Sequence, residues 1–279
     1  MRALGIDVGV GKGLDLVLMD LGRVPFMVAG GSGPGDVGRV VSEGAPDVIA
    51  IDSPPTWASS GKSRLTENEL ASLNIHAFRT PSPEHGLGPQ FDWMRAGMEV
   101  FRQVSALGYP LYRGGTLHRC AIEVFPHASA TVLAGCLPPS GLSKRGWRER
   151  VLRMNGVPTQ ELRSADLVDA ALAALTGLLA LEGRHTSLGD PKEGMIVLPV
   201  RALAVRYRRG TLADDGSERL FRPCACGAAE CRETVTAPNE FARGHDAKRK
   251  SRLWRDVRDG YDAMEELKKR RWRLPPEMG

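Results

Sequence analysis

The chain has 279 residues, 42% hydrophobic and 25% charged, which fits one substantial folded body with an appendage and excludes disorder throughout. No apolar run approaches the roughly 18 residues that span a bilayer, and no charged and apolar leader precedes the first strand pattern, so no membrane role and a cytoplasmic location are expected. The net charge of +5 is unevenly placed: residues 201–279 hold 19 Lys and Arg against 13 Asp and Glu, or +6, leaving −1 for residues 1–200. A neutral body with a basic tail points to a polyanionic partner, nucleic acid first, although a solvated basic helix has the same composition.

Residues 3–10 read as a strand, Gly11–Gly13 as a turn, Leu14–Leu21 as a second strand and Arg23–Ala29 as a third, together an antiparallel meander. Asp7 lies between Ile6 and Val8, where it either faces water from an edge strand or requires a compensating cation. A glycine cluster at 30–35 leads to a helix near Asp36–Glu43. After Pro46, Val48-Ile49-Ala50-Ile51-Asp52 has the composition of a strand buried on both faces, ending on a carboxylate.

Residues 53–118 are rich in proline and glycine and read as an insertion or cap. Two helices are expected in it: Arg64–Leu73, and one after Pro89 in which Phe91, Met94, Met98, Phe101 and Val104 follow the 3.6-residue period. Ala121–Pro126 returns to strand character with Glu123 inside it, either an edge residue facing water or a ligand. A basic helix is expected at 143–154, carrying Lys144, Arg145, Arg148 and Arg150. The next helix runs from a Ser164 cap to about Leu181. In its first turn Asp166 suits the helix dipole, but Asp169 falls on the same face amid Ala, Val and Leu, which points to a metal site. The sequence then turns through Gly189–Gly194 into a last strand, Met195–Pro199.

Asp7, Asp52, Glu123, Asp166 and Asp169 thus sit on strands, strand ends and one small-residue helix. Two Mg²⁺ or Mn²⁺ ions about 3.5–4 Å apart require such a set of hard oxygen ligands on rigid elements, and phosphodiester hydrolysis is the chemistry they support. The ordered motifs Gly5-Ile6-Asp7-x-Gly9, Ile51-Asp52-Ser53-Pro54, Glu123-Val124-Phe125-Pro126, Asp166-x-x-Asp169-Ala170 and Gly189-Asp190-x-x-Glu193-Gly194-x-Ile196-x-x-Pro199 resemble the family of unknown function numbered 429, a predicted nuclease family with an RNase H-like fold. The Asp166/Asp169 pair is also similar to the last helix of RuvC-like resolvases. The resemblance covers about residues 1–200. It implies an α/β fold in which a three-strand antiparallel meander and parallel strands form a mixed sheet flanked by helices. It further implies that Asp7 bridges two ions, with Asp52 and Asp169 completing the site. Gly5–Gly9 also opens actin-like nucleotide-binding proteins, in which Lys12 would hold phosphate, but the 79 residues after 200 lack a second glycine-rich hairpin. A catalytically inactive nucleic-acid-binding protein of the same fold is the other alternative.

Residues 201–216 read as a linker and 217–279 as a zinc knuckle with a basic amphipathic helix. Cys224, Cys226, Cys231 and His245 supply four ligands for Zn²⁺. A helix over 248–271 has its apolar stripe at Leu253, Val257, Tyr261, Met264 and Leu267. Lys248, Arg249 and Lys250 at its start are candidate phosphate contacts, beside Lys12, Lys144 and Arg148 in the body.

Overall fold

The computed structural model describes residues 1–9, 11–212, 220–223 and 234–236. The body begins with three antiparallel strands, β1 (Arg2–Gly9), β2 (Gly13–Asp20) and β3 (Pro25–Ser32). The β1–β2 turn requires positive φ at Gly11 (77°) and Gly13 (85°), which glycine adopts without strain. Helix α1 (Pro34–Gly44) leads to β4 (Val48–Asp52), which pairs parallel to β1. The expected glycine loop at 30–35 is shorter than its composition suggests: Gly30 and Gly31 extend β3, and the helix starts at Pro34.

The cap carries α2 (Leu65–Ser72) and α3 (Asp92–Ala106), whose buried face includes Met94, Phe101 and Val104 as the period predicts. Strand β5 (Cys120–Glu123) follows, then α4 (Pro126–Ala134), α5 (Lys144–Met154) and α6 (Ala165–Leu181). Ser164 caps α6, its hydroxyl accepting from the Leu167 amide at 2.9 Å. An antiparallel hairpin of β6 (Thr186–Asp190) and β7 (Gly194–Leu198) closes the body.

The seven strands form one mixed sheet in the order β3-β2-β1-β4-β5-β7-β6, consistent with the RNase H-like arrangement. Strand alternation sorts its faces. Leu4, Ile6 and Val8 of β1, Leu14, Leu16 and Leu18 of β2, and Ile49 and Ile51 of β4 share a core with residues of α1 and α3. Asp7, Asp15 and Asp52 project to the other face, against which α6 packs. The approach of α6 is close because small residues line it: a Cβ on Gly5 would lie 1.9 Å from the Ala170 carbonyl oxygen, and one on Gly177 2.9 Å from Val48 Cγ1.

The described residues fall into two compact units, 1–133 with 143–202, and 134–142 with those from 203 onward. The second unit contains a small antiparallel sheet of β8 (Thr211–Leu212), β9 (Leu220–Pro223) and β10 (Thr234–Thr236). The proposed zinc ligands Cys224, Cys226, Cys231 and His245, the basic residues Lys248, Arg249 and Lys250, and the 248–271 helix lie outside the described residues.

Candidate metal centre

Two neighbouring pairings bring three carboxylates together. Parallel β1 and β4 place Asp7 opposite Asp52, and antiparallel β1 and β2 place Asp7 opposite Asp15. Helix α6, drawn onto the sheet by Gly5, delivers Asp166 and Asp169 to the same place. Two groups result, Asp7 with Asp52 and Asp169, and Asp7 with Asp15 and Asp166, and within each group the oxygens lie within 4.8 Å of one another. Asp7 belongs to both.

The electrostatics of this cluster are unfavourable as it stands. Burial, then the charges of Asp169 and Asp166, raise the Asp7 carboxyl from 3.8 to about 7, opposed by its hydrogen bond with Asp52. Asp52 is held well above the usual carboxylate range by burial and by Asp7. Burial raises Asp169 to about 6, although the guanidinium of Arg148 opposes the shift. Asp15 is raised by burial and Asp166. Arg148 hydrogen-bonds one Asp169 oxygen, while the buried second oxygen, Oδ1, has no hydrogen-bond partner among the described residues. A cluster of buried acids with an unpartnered oxygen fits a hard divalent cation by donor type, charge and spacing. Asp7, Asp52 and Asp169 in one group, and Asp7, Asp15 and Asp166 in the other, are the residues that would hold such a cation.

The remaining candidate residues fall around this centre. Lys12, on the β1–β2 hairpin, pairs with Asp166 at 3.6 Å. Lys144 and Arg148 of α5 line a cavity of about 400 Å³ that opens over Asp7 and Asp52. Glu123 lines the same cavity but stands outside both carboxylate groups. Its oxygens accept from Arg64 Nη1 and Nη2 at 2.8 and 2.5 Å, and Arg64 Nε donates to Glu67 at 3.0 Å. All three side chains are buried. The cation compensating Glu123 is therefore an arginine from the cap, and the strand glutamate ties that cap to the sheet. Glu193 extends the tie, accepting from the amides of Ser59 (2.7 Å) and Leu65 (3.2 Å), while its own carbonyl accepts from Arg64 (3.1 Å).

The sequence reading omitted Asp15 and His127. Asp15 was detectable from the hairpin register. His127, on α4, lines the cavity, and its buried Nδ1 has no hydrogen-bond partner among the described residues. Burial, with Arg148, Lys144 and His76, holds its imidazole down to about 4, so it is neutral at physiological pH.

Comparison with family models matches residues 5–194 to the family described as protein of unknown function (DUF429), a span containing every carboxylate of the cluster. The chain belongs to the DUF429 family. No curated protein matches it. Among solved structures, it is similar to Thermus thermophilus RuvC in complex with a Holliday junction substrate and to a second structure of that RuvC. Both are 16% identical with a TM-score of 0.35, covering 66% of this chain and 96% and 95% of theirs. In this DUF429 member Glu123 and Glu193 fasten the cap, and the aspartates form the cluster.

Proposed function

We propose that this DUF429 protein is a metal-dependent nuclease, hydrolysing phosphodiester bonds of nucleic acid at the aspartate cluster of an RNase H-like body. The observation that carries the reading is that Asp7 is shared between two carboxylate groups, each compact enough for one ion. This sharing supports a site for two cations. Divalent cations bound there would activate water and stabilise the leaving oxygen of an in-line displacement.

The chain's own residues do the rest. Asp7, Asp52, Asp169, Asp15 and Asp166, on rigid elements, would hold the ions. Arg148, which pairs with Asp169, and Lys144 supply positive charge to a phosphate in the adjoining cavity. Lys12, 78% exposed at the side chain and paired with Asp166, is the further cation proposed to meet the phosphate backbone. In the tail, Cys224, Cys226, Cys231 and His245 are proposed to bind a structural Zn²⁺, and Lys248, Arg249 and Lys250 to add sequence-independent phosphate contacts. The cytoplasmic location belongs to the same proposal.

The test is cleavage of single-stranded, duplex and branched DNA and RNA in Mg²⁺ or Mn²⁺ by wild type, Asp7→Asn and Asp169→Asn. Wild type should cut at least one substrate and both variants should lose activity. Binding without cleavage would instead favour the catalytically inactive nucleic-acid-binding alternative, and variants as active as wild type would remove the cluster from the mechanism.

A further inference from the structure

The cap segment His76–Arg79 separates two cavities. The inner one, about 400 Å³, opens over Asp7 and Asp52. The outer one, about 560 Å³, is lined by cap residues including Lys62, Arg79, His85 and Phe91. Ala77 and Phe78 line both. Both volumes are in the range of small-molecule pockets, roughly 300–1,000 Å³.

Phe78 is 67% exposed, yet its ring is oriented by an edge contact with Trp93, centroids 6.0 Å apart and planes at 88°. An oriented, exposed phenyl ring lining two cavities presents a stacking surface that is open among the described residues. The inner cavity continues the aromatic lining with Phe125 and His127, whose rings lie 5.8 Å apart, and Trp147 stands behind His127 at 5.5 Å. Cations flank the aromatic stretch on both sides, Lys144 and Arg148 at the inner cavity and Lys62 and Arg79 at the outer. Aromatic faces in the middle and cations at the ends match a strand whose bases are splayed from a charged backbone. A base stacked within a duplex cannot enter such a cavity without first being unpaired.

We propose that Phe78 is a stacking wedge between two base-binding cavities, so that the strand presented to the aspartate cluster is unpaired at the nucleotides on either side of it. This selectivity for unpaired nucleic acid rests on the nuclease reading for its purpose, but its binding chemistry can be tested without cleavage. The full-length protein is titrated in EDTA with a short oligothymidylate, with an oligomer of the same sugar-phosphate backbone lacking bases, and with a blunt duplex. Wild type, Phe78→Ala and Phe78→Tyr are compared at fixed salt. Phe78→Ala should weaken oligothymidylate binding about tenfold, roughly 1.4 kcal/mol, and leave the base-free oligomer and the duplex unchanged. Phe78→Tyr should bind as wild type does. An equal loss on all three ligands, or no loss on any, overturns the wedge. A base-dependent Phe78 effect in a protein that cuts nothing in Mg²⁺ or Mn²⁺ would retain the wedge and reject the nuclease. Cleavage with Phe78 immaterial would do the reverse.

Discussion

Replacing Asp7 by asparagine should make the metal-free protein more stable while abolishing its response to divalent cations. Raising the carboxyl from 3.8 to about 7 corresponds to roughly 4 kcal/mol by which the fold prefers the protonated form. At pH 8 the group is ionised in both folded and unfolded chains, so the fold bears that cost in full. Asparagine removes the charge but leaves an amide needing hydrogen-bond partners, so a net gain of about 2 kcal/mol is expected. For a body of this size that is about 4–8 °C in Tm.

The sign follows from linkage. Because the folded value lies above the unfolded one, wild type in EDTA should gain stability as pH falls from 8 through about 7 towards the unfolded value, and lose it as pH rises. The Asp7→Asn variant should show a flatter profile over that window. Thermal unfolding in EDTA from pH 5 to 8, repeated with Mn²⁺ at pH 8, measures both effects. Wild type should rise in Tm with Mn²⁺ and the variant should not. A variant less stable than wild type in EDTA at pH 8 would refute the argument that uncompensated carboxylates strain the fold.

Other perturbations separate architecture from chemistry. Gly5→Ala places a methyl group against the Ala170 carbonyl and should destabilise by at least the 1–3 kcal/mol typical of overpacking, read by urea denaturation. Glu123→Gln breaks a buried ion pair with Arg64 and should cost about 3 kcal/mol, while Mn²⁺ affinity of the folded protein, measured calorimetrically, stays unchanged. Arg148→Ala deprives Asp169 of its counter-ion, so Tm should fall in EDTA and the Mn²⁺-induced rise should exceed that of wild type. Elemental analysis should find one zinc per chain, lost on Cys226→Ala.

Much of this architecture was accessible from the sequence because its signals are local. The meander, the buried β4, the Pro-initiated α3 and the Ser164-capped α6 each carry their pattern within one segment. Helix α4 escaped because Ala128, Ala130, Val132 and Ala134 are buried along with Ser129 and Thr131; with apolar and small residues on every side it lacks an amphipathic period. Strand β6 escaped because Thr186–Asp190 is a short, half-polar edge strand that pairs with a single neighbour. Glu123 carried a local signal that was ambiguous. An acid inside an apolar strand announces that a cation is near, and no local pattern distinguishes a metal from an arginine 59 residues away.

Asp15 differs, because hairpin geometry suffices to find it. In an antiparallel pair with Gly9 opposite Gly13, residues whose numbers add to 22 face one another, which sets Asp15 directly opposite Asp7. Side chains alternate with period two, so Leu14 and Leu16 on one face oblige Asp15 to share the face of Asp7. Two aspartates directly opposed are destabilising unless something positive lies between or beside them. Lys12 is three residues before Asp15, but it pairs with Asp166, one acid among the five that converge. Among the described residues, the carboxylates of this corner outnumber the Lys and Arg side chains paired with them, Lys12 on Asp166 and Arg148 on Asp169. That excess of negative charge, set by strand register and by a glycine that admits α6, is the physical reason to expect divalent cations there.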